Sequence, residues 1–217
     1  MAIARSSLAV SAPELAPALL GARLSSAVGG DRVEVILTEV EAYSGERDPA
    51  SHAFRGPTRR TEVMFGRAGQ LYCYFVYGMH WCANITCETP GTAGAVLLRA
   101  GRLTAGEDVA RRRASGRDGA PSSLPAAKLA SGPARLARAL GLTGTDTGLD
   151  LLASGSPVRL LALGGAAEYR TGPRVGITVA VDMPWRLWLP DEPSVSSFRP
   201  GVRRRRAGVP RPDPGSP

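Results

Sequence analysis

Apolar positions along the chain mostly alternate with polar ones in short runs and seldom recur at helical spacing. Val33, Val35 and Leu37 fall every second residue within Val33 to Tyr43, which predicts a long strand. Gln70 to Tyr77 and His80 to Cys87 are two strand-like runs on either side of Gly78-Met79, the spacing of a tight hairpin. Ala95 to Ala100, Pro157 to Leu163, Val175 to Val181 and Trp185 to Leu189 predict further strands. Helical signals are fewer. Ser11-Ala12-Pro13-Glu14 has the form of a capping box, with Leu15, Leu19 and Leu20 following, Gly21 closing and Pro17 weakening the segment. Glu107 to Arg113 predicts a short helix, and Pro133 to Leu140 another that opens on Pro and stops at Gly141. Gly29-Gly30 is a turn, and Arg117 to Pro125 has the composition of a linker. Ser44 to Met64 is irregular, polar and rich in Gly, Pro and Arg, and unstructured loops of such length are usually functional or mobile. Antiparallel strands with peripheral helices and no internal repeat predict one α+β domain.

Composition narrows the chemistry. A chain of 217 residues, 43% of them hydrophobic, buries roughly 70% of its unfolded surface and needs no metal or disulfide staple. No apolar stretch approaches the ~20 residues of a membrane span. Met1 to Ser11 carries one Arg and no apolar core of signal-peptide length, so export is not expected. Three cysteines without a CxxC pair exclude a disulfide framework and a four-thiolate metal site. Cys73, Cys82 and Cys87 fall in strand patterns as small hydrophobes, Cys82 and Cys87 on opposite faces. With only His52 and His80, a His-rich metal site is excluded too. The net charge of +8 suggests a polyanionic partner. Half of it, however, lies in Pro200 to Pro217, where five Arg and one Asp sit in a Pro/Gly-rich stretch with the composition of a disordered tail. The rest is spread over the body, a pattern that suits a solvated face as well as a binding one. The basic residues are 26 Arg and a single Lys, Lys128, so amine nucleophiles are scarce.

Two segments carry candidate chemistry. By alternation, Glu39, Glu41 and Tyr43 continue the face begun by Val33, Val35 and Leu37. A carboxylate at the edge of an apolar core has a raised pKa, which suits a general acid or base. The plainer alternative is a strand end that reaches solvent. The hairpin gathers aromatics, with Tyr72 and Tyr74 on one face and Phe75 and Tyr77 on the other. Aromatic strands are ordinarily core, but Tyr77, Met79 and His80 at the tip cannot all be, and large side chains on a tip can wedge between base pairs. His52 lies in the irregular loop near Arg55, Arg59 and Arg60.

Taken in order, several segments resemble the alkyladenine family of DNA-3-methyladenine glycosylases. They are Glu39-Val40-Glu41-Ala42-Tyr43, Asp48-Pro49-Ala50-Ser51-His52, Met64-Phe65-Gly66, Leu71 to Asn84, Val96-Leu97-Leu98-Arg99-Ala100, Gly132 to Leu136 and Pro173 to Ile177. The likeness runs from about residue 13 to residue 199. It implies a glycosylase domain over 1–199 with a curved antiparallel sheet and a DNA-intercalating hairpin, followed by the basic tail 200–217. It implies hydrolysis of the N-glycosidic bond of a damaged purine flipped out of double-stranded DNA, by a monomer needing no cofactor and no metal. No membrane association is expected, and the location is cytoplasmic, with the nucleoid if bacterial. Residue by residue, Glu41 matches the carboxylate that activates water, and Arg99 and the backbone of His52 help to hold that water. Tyr43, His52 and Tyr74 match the base-stacking pocket, Asn84 the wall that excludes the guanine amino group, and Tyr77 the wedge. Met79 and His80 belong to the DNA-binding hairpin. Glu39 matches no catalytic position. Lys128 matches none either, which implies no strand-cleaving lyase step. Where the family often has Thr-Pro-Arg-Asn, this chain reads Thr58-Arg59-Arg60-Thr61, and only Arg60 is assigned a role, in contacting phosphate. Val40 replaces a more usual Thr.

Two other classes compete: a catalytically silent nucleic-acid-binding module, and, on architecture alone, a domain like the C-terminal domain of a formyltransferase.

Overall fold

The computed structural model describes residues 2–76, 78–115 and 119–202. Its strands are β1 (Arg23–Ser26), β2 (Val33–Tyr43), β3 (Leu71–Val76), β4 (His80–Thr86), β5 (Ala95–Ala105), β6 (Val158–Ala162), β7 (Arg170–Gly172) and β8 (Arg186–Trp188). They form one antiparallel sheet ordered β3-β4-β5-β2-β1-β6, with β8 joining β2 to β7. Among the described residues four α-helices accompany it: α1 (Ala12–Leu19), α2 (Glu107–Arg113), α3 (Ala126–Leu129) and α4 (Pro133–Leu140). The architecture is α+β, as the pattern predicts. Glu14 closes the α1 capping box by accepting from the Ser11 amide at 3.0 Å, and Gly141 ends α4 in the left-handed region.

β2 organises the molecule. Along one edge it pairs with β5 over almost its whole length. Along the other edge its first half pairs with β1 and its second half with β8. The handover coincides with a break in register: Leu37 pairs with Gly101, Glu39 with Ala100 and Val40 with Leu98, which leaves Thr38 and Arg99 without partners. Such a bulge reverses the alternation of side chains. Val33, Val35 and Leu37 lie in the apolar core, and beyond the bulge it is Val40 and Ala42 that join them. Glu39, Glu41 and Tyr43 therefore face the opposite side, not the Val33–Leu37 face that strict alternation predicts.

The core face is completed by Leu71 and Cys73, Ala83 and Ile85, Val96 and Leu98, covered by Leu15 and Leu19 of α1 and Leu136 and Leu140 of α4. Each fully buried aliphatic side chain of this kind contributes about 1.5–3 kcal/mol. A second apolar cluster, Ala53, Met64, Tyr72 and Ala95, lies with Tyr74 on the other face.

The remaining differences from the pattern have local causes. Val175 to Val181 forms no strand: Gly176 takes φ +75°, and the segment runs through turns and bends. β1 and β7 were not predicted, since Arg23–Ser26 holds one apolar residue and Arg170–Gly172 holds none. Val76 pairs with His80 across the hairpin, and Gly78 between them supplies φ +66°. The linker is described only from residue 119, and the tail beyond residue 202 lies outside the described residues.

Candidate active site

The face of the sheet opposite the main core carries a cavity of about 400 Å³, toward the small end of the roughly 300–1,000 Å³ usual for ligand pockets. β2 sends Glu41 and Tyr43 into it, β3 Tyr72 and Tyr74, β4 Cys82 and Asn84, and β5 Leu97 and Arg99. The loop after β2 brings Ser51 and His52, and the loop before β8 brings Val175 and Ile177. Six residues singled out in the sequence, Glu41, Arg99, Tyr43, His52, Tyr74 and Asn84, thus line one space. His80 lines it as well, whereas Met79 stands on the hairpin turn with 69% of its surface exposed. Tyr77 lies outside the described residues.

Glu41 has no exposed surface. Its Oε1 accepts the Val175 N–H at 2.7 Å and its Oε2 accepts the Tyr43 hydroxyl at 2.8 Å. Arg99 Nη1 stands 3.4 Å from Oε1. Burial pushes the carboxyl above its ordinary pKa, and the charge of Arg99 and the two hydrogen bonds only partly oppose it. Glu39, two residues earlier, is equally buried and differently partnered. Its Oε1 accepts from Arg99 Nε (2.9 Å), Arg186 Nε (2.7 Å) and Ser196 Oγ (3.0 Å), and its Oε2 from the Ser196 amide (2.7 Å). Burial pushes it upward too, but Arg99, Arg186 and the Ser196 amide outweigh that and hold it below the ordinary value. The two carboxylates that alternation could not separate are separated by their partners.

Burial raises the Tyr43 and Tyr74 phenols well above 10, so both keep their protons. Tyr43 thereby stays a donor to Glu41. The His52 ring packs edge-on to Tyr74, centroids 4.6 Å apart, and its Nδ1 lies 3.1 Å from the Tyr72 hydroxyl. Desolvation and the nearby Arg60 charge lower its pKa to about 4, so the imidazole is neutral near pH 7. Arg60 holds its guanidinium 5.5 Å from the Tyr74 ring centroid, at the rim. Asn84 is buried and donates from Nδ2 to the Tyr72 carbonyl at 2.9 Å, which fixes its amide against the wall.

Behind Tyr43 stands a second buried pair that sequence reasoning did not single out. Arg174 donates to Asp48 at 2.5 and 2.9 Å and to the Ala42 carbonyl at 2.9 Å. Its guanidinium lies between the rings of Tyr43 (4.6 Å) and Trp185 (5.1 Å). The chain can double back to this point because Gly45 takes φ +54°, where a Cβ would meet the Ala93 carbonyl at 2.2 Å. Asp48 and Arg174 both stand in the segments that carry the family resemblance. The Val175 amide has no sequence signal, since a backbone donor has no letter.

The site thus offers a buried carboxylate of raised basicity beside an arginine, facing a cavity walled by aromatic rings. The profile of the family described as Methylpurine-DNA glycosylase (MPG) matches residues 6–193. A protein of Leifsonia xyli subsp. xyli is 49% identical over 199 residues, covering 90% of this chain and 92% of its own. One from Frankia casuarinae is 46% identical over 203 residues (88% and 90%), and one from Mycobacterium leprae 46% over 209 (93% and 94%). All three carry the name "Putative 3-methyladenine DNA glycosylase".

Proposed function

Because the chain belongs to the methylpurine-DNA glycosylase family, a family of DNA glycosylases in base excision repair, we propose that it excises damaged purines with a water activated by Glu41. The substrate class is alkylated or deaminated purines in double-stranded DNA: 3-methyladenine, 7-methylguanine, hypoxanthine and ethenoadenine. The observation that carries the reading is the state of Glu41, fully buried, raised in basicity and lining the aromatic cavity.

The reaction follows from the charges. The glycosidic bond is out of reach within a stacked duplex, so the nucleotide is flipped out. Breaking the bond develops positive charge on the sugar, which a buried carboxylate stabilises through a low local dielectric. Glu41 takes a proton from water as the water attacks C1′, and Arg99, with the backbone of His52, holds that water. Tyr43, Tyr74 and a neutral His52 present electron-rich faces, which favour a base whose ring carries positive charge. Asn84, its Nδ2 tied to the Tyr72 carbonyl, excludes the amino group of normal guanine. Tyr77 fills the vacated stack, Met79 and His80 support it from the hairpin, and Arg60 meets phosphate. Lys128 donates to the Pro193 carbonyl at 2.6 Å and does not line the cavity, which supports hydrolysis without a lyase step. Residues 1–199 form the glycosylase unit, active as a monomer in the cytoplasm. The arginines of the tail add non-specific DNA affinity that weakens with salt.

The test is a duplex carrying one hypoxanthine or ethenoadenine, and separately purine-methylated DNA, each followed by hot alkali. Base release without strand breaks before alkali is expected, with Glu41→Gln slower by about 10²–10⁴-fold at retained DNA binding. Undiminished release by Glu41→Gln overturns the role of Glu41. Strand breaks before alkali overturn the hydrolytic assignment. Binding without release by the natural chain favours the silent binding module.

A further inference from the structure

Arg99 is shared between two buried carboxylates, and it is shared unequally. Its Nε donates to Glu39 at 2.9 Å and its Nη2 to the Ser196 hydroxyl at 3.1 Å. Only Nη1 remains toward Glu41, at 3.4 Å, an ion pair outside hydrogen-bond contact. An arginine free to choose would meet a carboxylate through two parallel N–H bonds. Here Glu39 prevents it. Glu39 is itself held by Arg186, which donates from Nε at 2.7 Å and from Nη2 to the Ser196 carbonyl at 2.9 Å, with its guanidinium 4.5 Å from the Trp188 ring centroid. The Ser196 amide takes the other Glu39 oxygen. Ordinary alternation sets Glu39 and Glu41 on the same side of β2, and Arg99, skipped in the β2–β5 pairing, lies beside them.

We propose that Glu39 is a positioning residue that holds Arg99 off Glu41, so that Arg99 orients the reacting water without neutralising the base. The proposal rests on the reading of Glu41 as that base. A fully paired Glu41 would be a poorer proton acceptor, since a bidentate cation favours its charged form. The groups that face Glu41 are Glu39 and Tyr43 on its own strand, Tyr74 from β3, Cys82 from β4 and Arg99 from β5, with Val175 donating from the loop. Arg174 stacks on the Tyr43 ring, and Arg186, which stands opposite Glu41 in the β2–β8 pair, commits its guanidinium to Glu39. Of the charged residues among them, Glu39 alone acts on Glu41 both directly, as a like charge, and through Arg99.

The decisive measurement is the pH profile of single-turnover base release by the full chain. In Glu39→Gln, Arg99 turns onto Glu41: the acid limb moves to lower pH, and the plateau falls on the order of tenfold as basicity is lost. A merely structural role would lower the amount of folded enzyme and leave the limb where it was, whereas loss of the like charge alone would move the limb equally in an Arg99→Gln background. An unmoved or raised limb, or an equal shift in that background, overturns the proposal. Should Glu39→Gln not fold, Arg186→Gln decides. There Glu39 keeps Arg99 with less competing positive charge, and the limb moves to higher pH; an unmoved or lowered limb overturns the proposal. Glu41→Gln separates the two levels. If it keeps full activity, the reading of Glu41 falls and this proposal with it. If it is inactive while the limbs of Glu39→Gln and the natural chain coincide, only the proposal falls.

Discussion

Val40 and Glu41 are consecutive on β2, and neither has any exposed surface. Val40 joins Leu37, Ala42 and Leu98 in the apolar core. Glu41 turns to the other side of the sheet, where burial surrounds it with a phenol, a guanidinium and a backbone amide. The difference runs the length of the sheet. The core face lowers the free energy of the folded state wherever it is dry. On the site face dryness raises the free energy of each charge, and only partners compensate. Glu39, with two arginines and an amide, is held below its ordinary pKa; Glu41, less fully partnered, is held above it. Burial alone therefore does not distinguish scaffold from chemistry. The completeness of the partners does.

Breaking a wholly buried ion pair tests the comparison most severely. Asp48 and Arg174 have no exposed side-chain surface. Asp48→Ala leaves a buried guanidinium between Tyr43 and Trp185 and is expected to cost about 3–5 kcal/mol, read from urea unfolding. A loss under 1 kcal/mol would mean that the pair is hydrated in solution. On the opposite face, Leu98→Ala is expected to cost about 2–5 kcal/mol through transfer and cavity terms. Its cost should not vary with pH between 5 and 8, because no titratable group is touched. A pH-dependent cost would mean that the two faces are coupled through β5.

The same contrast explains how much was legible in the sequence. The α+β class, α2, α4 and the strands around the hairpin follow from period and punctuation, because packing and local preference agree there. Alternation assigns Tyr72 and Tyr74 to one face, and Asn84, which only the resemblance places in the pocket, lies opposite Tyr72 because β3 and β4 pair without a register break. β2 defeats that reasoning, since its register shifts arise in pairing with β5, a strand far along the chain. Val175 to Val181 has a strand's composition, yet its amide serves Glu41 and Ile177 lines the cavity. Asp48 and Arg174 meet across 126 residues. The family resemblance supplied the choice of Glu41 over Glu39, and the partners of the two carboxylates supply a physical ground for it.

A subtler consequence is that Glu41 weakens the fold it belongs to. Its folded pKa lies above the ordinary 4.5. Below that value both folded and unfolded chains hold the proton and no penalty arises. As pH rises through the folded value, the folded chain must give up a proton against burial, and stability falls. Glu41→Gln is thus expected to melt higher than the natural chain near pH 7, with the difference closing below about pH 4.5. Glu39 has the opposite sign: its contribution is present above 4.5 and is lost as pH falls through its lowered value. Melting curves of Glu41→Gln lying below those of the natural chain at neutral pH would place Glu41 among the stabilising pairs and erase the contrast.

The smallest expected effect isolates one hydrogen bond. Tyr43→Phe keeps the aromatic wall and removes only the hydroxyl that donates to Glu41 at 2.8 Å. That bond favours the charged carboxylate, so losing it raises the Glu41 pKa and moves the acid limb of base release to higher pH. Above the limb the variant should run near the natural rate, because Val175 and Arg99 still orient the carboxylate. The direction is opposite to that expected for Glu39→Gln, although both variants remove a polar group beside the same base. A limb moving the same way in both would mean that the pH profile reports general loosening of the site face, and not the separate partners of Glu41.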